Sequence, residues 1–111
     1  MQEAIVAALA AEAQAARLRY HSHFVERLLE REMPQTHDIV DLHCDDDPQV
    51  IEPYANDYPK PSCLIWGIIQ GRVGHVLVTS PPNPLVIIAY WPDLRPGDWT
   101  ENFTRRAPYG V

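Results

Sequence analysis

Three side chains in the first third of the chain have the types and spacing for a shared chemical role. His23, Arg27 and Arg31 recur every four residues, so on a helix they form one stripe in which neighbouring side chains reach one another. Guanidinium groups offer a fixed fork of donors to paired oxygens, and a histidine exchanges a proton near neutral pH. The stripe therefore suits a phosphate or another oxyanion. The alternative is a solvated stripe, in which the arginines pair with Glu26 and Glu30.

A further histidine, His75, lies in an apolar run of strand length. Because side chains alternate across a strand, His75 faces away from Val76 and Val78. If the valines pack under helices, His75 lies on the opposite and more open surface of the sheet. In the reverse arrangement His75 is a core histidine. The alternation by itself is compatible with both.

The stripe needs a helix, and residues 3–32 predict one. They contain no Gly or Pro, and apolar residues recur every three or four positions. The β-branched and aromatic residues between Tyr20 and Val25 leave two alternatives: one long helix, or an N-terminal extension followed by a separate helix from about Ser22. A second, short helix is predicted from Thr36.

The later part of the chain has the alternation of prolines and apolar runs that is typical of a β-sheet. All eleven prolines lie at or beyond Pro34, where they bracket apolar runs. The runs predict four strands, at residues 49–54, 62–70, 73–80 and 85–91. Short turns between consecutive strands indicate an antiparallel meander. Asp98 is then expected to cap a last helical turn over residues 99–106.

The predicted fold class is α+β: N-terminal helices, then a four-stranded antiparallel sheet, then a short C-terminal helix. At 111 residues, 46 % of them apolar, the chain has enough material for one core. We therefore assign residues 1–19 to an Ala-rich helical extension, 20–106 to a single α+β domain and 107–111 to a tail.

The sequence carries no membrane or export signal. No run approaches the roughly 18 uninterrupted apolar residues of a membrane span, and residues 1–19 mix acidic and polar side chains where a secretory signal needs a compact apolar stretch. Cys44 and Cys63 lie far apart and form no CxxC pair, so we interpret them as buried thiols rather than a disulfide. We therefore expect a soluble, cytoplasmic protein.

The net charge of −6 arises entirely from residues 1–47, since residues 48–111 are neutral overall. Such acidity disfavours a polyanionic partner, because nucleic-acid binding is led by Lys and Arg. The excess includes an acidic run without Lys or Arg, formed by Asp38, Asp41, Asp45, Asp46 and Asp47. A run of this kind usually marks a solvated face, and the alternative is a metal or partner site.

Side chains near the acidic run contain enough ligand atoms for zinc or nickel, namely those of His21, His23, His37, His43 and Cys44. On a helix His21 and His23 point about 200° apart and cannot share a metal. We therefore expect no metal site. The sequence also contains no phosphate-binding glycine loop and no serine nucleophile elbow, so no cofactor is expected.

Several segments, taken in order, resemble a known family. They are His23-x3-Arg27-x3-Arg31, Tyr58-Pro59-x-Pro61-Ser62-Cys63-Leu64, Gly74-His75-Val76-Leu77-Val78 and Ile87-Ile88-Ala89-Tyr90-Trp91-Pro92, with Trp99 and Arg105-Arg106. From about Tyr20 to Arg106 the chain resembles a bacterial family of small proteins catalogued as unknown-function family 4258. That family is considered related in fold to the RelE/ParE toxin superfamily, whose members place helices before an antiparallel sheet.

The resemblance implies a toxin-like domain that cleaves RNA without a metal, through attack of the ribose 2′-hydroxyl on the adjacent phosphate. The site residues that it implies are His75, His23 and Tyr90 for proton transfer, and Arg27, Arg31 and Arg105 for binding phosphate or RNA. Because genes of this family often neighbour an antitoxin-like gene, the resemblance also implies a cognate antitoxin as a partner, beside RNA or the ribosome.

The chain departs from the family pattern in two places. Glu32 occupies the position after the second Arg, where the family usually has Gly. This difference loosens only the end of a helix. Ile88 stands where Thr is common, so the strand nearest the implied site lacks a hydroxyl. Ile88 and the net acidity support a second hypothesis, a non-catalytic protein-interaction module. The Ala-rich helix before Tyr20 either packs on its own domain or contacts a second copy or an antitoxin.

Overall fold

The computed structural model describes residues 2–29, 32–45 and 47–108. Its helices are α1 (Gln2–Gln14), α2 (Ser22–Arg27) and α3 (Thr36–Cys44). Its strands are β1 (Arg19–Tyr20), β2 (Gln49–Tyr54), β3 (Ser62–Ile69), β4 (Arg72–Thr79), β5 (Leu85–Tyr90), β6 (Trp99–Thr100) and β7 (Arg105–Arg106). Two 3₁₀ turns, Pro92–Leu94 and Pro96–Asp98, separate β5 from β6. The predicted α+β class is confirmed.

The N-terminal helical segment is interrupted, so the alternative of one long helix is wrong. α1 ends at Gln14, and Ala16 adopts the left-handed conformation with a φ of 58°. The chain then extends as β1, which pairs in parallel with β5. Just beyond β1, the backbone N–H of His21 donates to the carbonyl oxygen of Val86 at 2.8 Å. α2 begins at Ser22, where the second alternative places it.

The main sheet has five strands in the order β1-β5-β4-β3-β2. β2 to β5 are the four predicted antiparallel strands, with bounds within one residue of those expected. β1 makes the sheet mixed, which corrects the purely antiparallel prediction; two residues are too few to show an alternating pattern. The antiparallel register places Trp66, His75 and Tyr90 side by side on β3, β4 and β5.

α1 and α3 cover one face of the sheet. The core on this face includes Leu9 of α1, Leu42 of α3, and Val76 and Val78 of β4, all fully buried. Full burial of one such side chain stabilises the fold by about 1.5–3 kcal/mol. α1 therefore packs on its own domain, which is the simpler of the alternatives for the Ala-rich segment.

α3 approaches the sheet closely because two cross-strand partners, Gly67 of β3 and Gly74 of β4, lack side chains there. A Cβ built at Gly67 would lie 2.6 Å from Cγ of Leu42, and one built at Gly74 would lie 2.9 Å from Cδ1 of Ile69. Real Cβ atoms do not come that close to a neighbour. The two glycines therefore leave room for the apolar side chains between α3 and the sheet.

The predicted helical turn over residues 99–106 is wrong, because this segment is the β6–β7 hairpin. Its turn contains three consecutive residues with positive φ, Glu101, Asn102 and Phe103. Such backbone is incompatible with a right-handed helix. The hairpin covers the face of the sheet opposite α1 and α3, where the indole N–H of Trp66 donates to the carbonyl oxygen of Asn102 at 3.0 Å.

The helices are short. Within the described part of the chain the longest is α1, with 13 residues, and no helix there is long and apolar enough to cross a membrane. Residues 109–111 of the predicted tail lie outside the described residues.

Candidate functional site

His75 lies at the centre of a polar cluster on the hairpin side of the sheet. Its Nε2 lies 2.8 Å from the carbonyl oxygen of Phe103, and its Nδ1 lies 3.2 Å from the hydroxyl of Tyr90. Because a carbonyl oxygen only accepts hydrogen bonds, Nε2 carries the ring proton and Nδ1 accepts from the Tyr90 O–H. Both nitrogens of the neutral ring therefore have a partner.

His75 is fully buried although it faces away from Val76 and Val78 of β4. The valines do pack under the helices, as the first of the two alternatives requires, but the opposite surface is not open because the β6–β7 hairpin covers it. The indole of Trp99 closes over the imidazole, with the ring centroids 4.4 Å apart and the planes at 77°. The conditional expectation, that valines packed under the helices leave His75 on an open surface, is therefore wrong.

Burial sets the protonation states of the His75–Tyr90 pair. Burial lowers the pKa of His75 to about 4, and the smaller opposing effects of the Phe103 carbonyl and of Glu52 do not offset it. Burial also raises the pKa of Tyr90 to about 12. At neutral pH the pair consists of a neutral imidazole and a neutral phenol. His75 therefore contributes no positive charge for binding phosphate.

An ion pair fastens the hairpin to the edge of the sheet. The guanidinium of Arg106 donates to the carboxylate of Glu52 on β2 at 2.7 and 3.0 Å, and it lies 4.8 Å from the centroid of the Trp99 ring. The hydroxyl of Tyr54 donates to the same carboxylate. Burial alone would raise the pKa of Glu52, but hydrogen bonds from Arg106 and Tyr54 lower it below its usual value. The ion pair therefore anchors the hairpin that covers His75 to β2.

A groove of about 680 Å³ opens between α2 and the segment that follows β5. His23 and Arg27 line it from α2, Tyr90 lines it from β5, and Arg95 and Arg106 line it from the C-terminal segment. Its volume lies within the range of ligand sites. The groove therefore brings an imidazole, three guanidinium groups and a phenol together from opposite ends of the chain.

Other side chains give the groove apolar and acidic walls. Ile88 and Leu94, which line it, are 45 % and 50 % exposed. Asp98 lies 3.3 Å from the guanidinium of Arg95, so one of the positive charges is paired within the groove itself. Glu32 also lines the groove, and Arg106 is paired with Glu52, so the positive character of the groove depends mainly on Arg27.

Residues 20–91 match a family model described as a domain of unknown function, DUF4258. The chain belongs to the DUF4258 family. No curated protein and no solved structure matches it. The DUF4258 match contains α2, α3 and the four long strands, whereas α1 and the β6–β7 hairpin lie outside it. The groove thus joins His23 and Tyr90, inside the match, to Arg106 beyond its end.

The DUF4258 domain brings three of the six predicted site residues to the groove: His23, Arg27 and Tyr90. His75 is not part of the lining but lies directly behind Tyr90, to which it is hydrogen bonded. Glu26 lies 3.7 Å from the ring of His23. Glu30 and Arg31, on which the solvated-stripe alternative also depends, lie outside the described residues. The roles of these residues stay predictions.

The remaining two predicted residues are not in the groove. Arg105 forms an exposed ion pair with Glu101 at 3.0 Å, and Arg31 lies outside the described residues. Arg106 lines the groove instead, because successive residues of a strand face opposite sides. A helix over residues 99–106 would not show this alternation, so no pattern in the sequence favoured Arg106 over Arg105. Arg95 was missed because a Pro-rich connection has no regular pattern.

The DUF4258 domain does not group three His, Cys, Asp or Glu side chains as metal ligands anywhere in its described residues. His21 and His23 are nevertheless close, with stacked rings and centroids 5.2 Å apart. The predicted separation of about 200° assumed a helix, whereas His21 is the extended N-cap of α2 and its Nδ1 accepts the His23 N–H. Cys63 is buried as predicted, but Cys44 is exposed, so that part of the prediction is wrong.

Proposed function

We propose that this DUF4258 chain is a RelE/ParE-like toxin that cleaves RNA in the groove between α2 and the C-terminal segment. The observation that carries the proposal is the convergence of His23 and Arg27 with Tyr90 in one groove. An imidazole that moves protons, guanidinium groups that hold phosphate and an orienting hydroxyl are the groups that such a reaction uses. The proposal includes a bacterial source, a cytoplasmic location and a cognate antitoxin as partner.

The proposed reaction is cleavage by the RNA's own ribose. The 2′-oxygen attacks the adjacent phosphorus while its proton passes to a base, and the bond from phosphorus to the 5′-oxygen breaks as that oxygen takes up a proton. The products are a 2′,3′-cyclic phosphate and a 5′-hydroxyl. We assign the proton transfers to His23, whose side chain is 72 % exposed, and the phosphate oxygens to Arg27.

Tyr90 and His75 act as a pair in this proposal. Because the Tyr90 O–H points to Nδ1 of His75, the phenol oxygen is left to accept a hydrogen bond from an amino group of an RNA base in the groove. The raised pKa of Tyr90 and the lowered pKa of His75 keep both groups neutral, so neither is a strong base at pH 7. His75 is therefore a positioning residue here, in place of the direct proton-transfer role that the resemblance implies.

The half-exposed Ile88 and Leu94 favour a second candidate function, a non-catalytic protein-interaction module. Apolar side chains grouped on an exposed surface are typical of sites that bind another protein. This candidate predicts a tight protein partner whose binding is lost in Ile88→Asp and Leu94→Asp and is unaffected by His23→Gln. RNA cleavage separates the two candidates.

The test uses end-labelled RNA incubated with the purified chain, either alone in the presence of EDTA or on translating ribosomes in a buffer that contains Mg²⁺. We expect the wild-type protein to leave 2′,3′-cyclic phosphate ends. His23→Gln should lower the cleavage rate by about 100-fold or more, which is the scale of general acid–base catalysis. Arg27→Gln should weaken RNA binding. Arg17→Gln is the matched control, since Arg17 pairs with Glu12 outside the groove.

Circular dichroism establishes that each variant is folded before its rate is compared. A folded wild-type protein that neither cleaves RNA nor arrests growth on expression would contradict the proposed function. Cleavage at an unchanged rate by His23→Gln would contradict the role of His23. Cleavage of free RNA that stops on addition of EDTA would contradict the metal-independent reaction.

A further inference from the structure

Arg106 has a fixed orientation at the wall of the groove. Its Nε and Nη2 donate to the carboxylate of Glu52 at 2.7 and 3.0 Å. Its guanidinium also lies 4.8 Å from the centroid of the Trp99 ring, and Trp99 lines the same groove. A side chain that is held at one edge and along one face has already lost most of its rotamer freedom. A ligand that binds Arg106 therefore does not have to order it first.

The ion pair leaves part of the guanidinium available to a ligand. The pair uses one hydrogen on Nε and one on Nη2, so the two hydrogens on Nη1 take no part in it. The Arg106 side chain is 59 % exposed and lines the groove, whereas the Glu52 side chain is 20 % exposed and does not line it. A ligand in the groove therefore meets the donors of Arg106 rather than the carboxylate of Glu52.

Strand β2 sets the position of Arg106, although Arg106 belongs to β7. Glu52 and Tyr54 both lie on β2, and the hydroxyl of Tyr54 donates to the carboxylate that Arg106 binds. The hydrogen bond to Glu52 raises the pKa of Arg106 above its usual value. The guanidinium is therefore a permanently charged group at a fixed place in the groove.

The chemistry of this position favours an oxyanion. A guanidinium offers a planar set of N–H donors that matches the oxygens of a phosphate. His23 and Arg27 line the groove from α2, whereas Arg106 lines it from the C-terminal segment. Groups on two walls contact different parts of a chain that crosses between them. Because a nucleic-acid strand carries a phosphate at every nucleotide, one strand can place a phosphate at each wall.

We propose that Arg106 binds a second phosphate of the RNA, beside the phosphate at which His23 and Arg27 act. This inference rests on the proposed function, because it takes an RNA strand as the occupant of the groove. The substrate is then an oligonucleotide with a phosphate at each wall, and a mononucleotide leaves one wall empty. Since Arg106 lies beyond residues 20–91, the second phosphate site is not part of the DUF4258 match.

The dependence of binding on salt tests the second phosphate site. The probe is a fluorescein-labelled single strand of 2′-O-methyl ribonucleotides, which the proposed reaction cannot cleave because the attacking hydroxyl is blocked. Fluorescence anisotropy with the full chain gives its Kd over a series of KCl concentrations. Each contact to a phosphate of a single strand adds about 0.7 to the slope of log affinity against log salt concentration. Loss of the Arg106 contact should lower the slope by this amount and weaken binding about tenfold at low salt.

A comparison within a Glu52→Gln background separates the phosphate contact from the ion pair. Glu52→Gln removes the charge of the carboxylate but keeps an oxygen that accepts from the guanidinium, so we expect the slope of the wild type. Adding Arg106→Gln removes the guanidinium without leaving an unpaired carboxylate, and the slope should fall by about 0.7. Arg105→Gln in the same background is the matched control, because Arg105 is exposed outside the groove.

An NMR signal shows whether the β6–β7 hairpin stays closed in these variants. The indole N–H of Trp66 donates to the carbonyl oxygen of Asn102 in the hairpin turn, so its chemical shift reports on the closed hairpin. We expect the shift to be the same in Glu52→Gln with and without Arg106→Gln. The slope adds an independent readout, because it depends on the number of phosphate contacts rather than on stability.

Three results would overturn the second phosphate site. Equal slopes with and without Arg106→Gln would limit Arg106 to holding the hairpin. An equal fall in slope with Arg105→Gln would make the effect one of overall charge. A wild-type protein that does not bind the probe would also contradict the site, whatever its cleavage activity. Failure of the proposed function is distinct: binding of the probe that depends on Arg106, without cleavage of unmodified RNA, would contradict the cleavage and leave the phosphate site intact.

Discussion

At the scale of the residue, His75 and Tyr90 are hydrogen bonded to each other but differ in their access to the groove. Trp99 of the β6–β7 hairpin covers the imidazole of His75, whereas Tyr90 lines the groove. Tyr90 is therefore the member of the pair that a substrate meets.

The His75–Tyr90 hydrogen bond predicts the effect of Tyr90→Phe on stability. The variant removes only the hydroxyl and leaves Nδ1 of the fully buried His75 without a donor. We expect the free energy of unfolding to fall by about 1–2 kcal/mol, which is the cost of an unpaired buried acceptor. Urea denaturation at pH 7 measures it.

Tyr58→Phe is the matched control for this change, because Tyr58 is 95 % exposed. Surface substitutions of this kind usually change stability by less than about 0.5 kcal/mol. If both variants unfold at the same urea concentration as the wild type, the hydrogen bond between the two side chains contributes nothing to the stability of the fold.

At the scale of the element, length decided what could be predicted. β2 to β5 and α3 are six to nine residues long and have bounds close to those predicted. β1 has two residues, and its position after a left-handed Ala16 follows from pairing with β5 rather than from local preference. The β6–β7 hairpin likewise has two residues in each strand. Elements this short depend on tertiary contacts, so the groove that they complete was only partly predictable.

The packing of α3 on the sheet predicts that Gly67→Ala destabilises the fold. The added methyl group would lie 2.6 Å from Cγ of Leu42, which is fully buried and has no space to move into. Overpacking of this kind costs about 1–3 kcal/mol, although Ala is otherwise preferred to Gly in a strand. Thermal or urea unfolding measures the loss.

Two further variants isolate this contact. Gly97→Ala is the control, because a Cβ at Gly97 meets nothing within 4 Å. In a Leu42→Ala background the clash is removed, so Gly67→Ala should cost less there than in the wild type. Equal costs in both backgrounds would show that Leu42 is not what excludes a side chain from position 67.

At the scale of the whole molecule, one buried neutral histidine lies on each side of the sheet. His43 is buried on the helix side as a residue of α3, and His75 is packed under the β6–β7 hairpin. Burial is the largest cause of the lowered pKa in both, and each pKa falls from 6.5 to about 4. The negative charge of the chain is concentrated in its first 47 residues. The two histidines lie on both sides of the sheet, so protonation at low pH would destabilise the packing on each side.

The two histidines predict that the fold weakens as the pH falls from 6.5 towards 4. In this interval the unfolded chain protonates both rings and the folded chain does not, so protons favour unfolding. Each histidine contributes stability that is fully present above pH 6.5. Below pH 4 the free energy of unfolding is lower by up to about 3 kcal/mol for each histidine. Urea denaturation at pH 7.0, 5.5 and 4.5 measures the slope.

Carboxylates also titrate in this interval, so the contribution of the histidines needs variants that cannot take up a proton at these positions. His43→Gln and His75→Gln keep a polar side chain of similar length, and each should be less stable than the wild type at pH 7 but lose less stability between pH 6.5 and 4.5. Because the carboxylates are common to all three proteins, the difference between the slopes belongs to the substituted ring. Parallel slopes for wild type and variants would mean that the rings are protonated within the folded state and that their burial is not maintained.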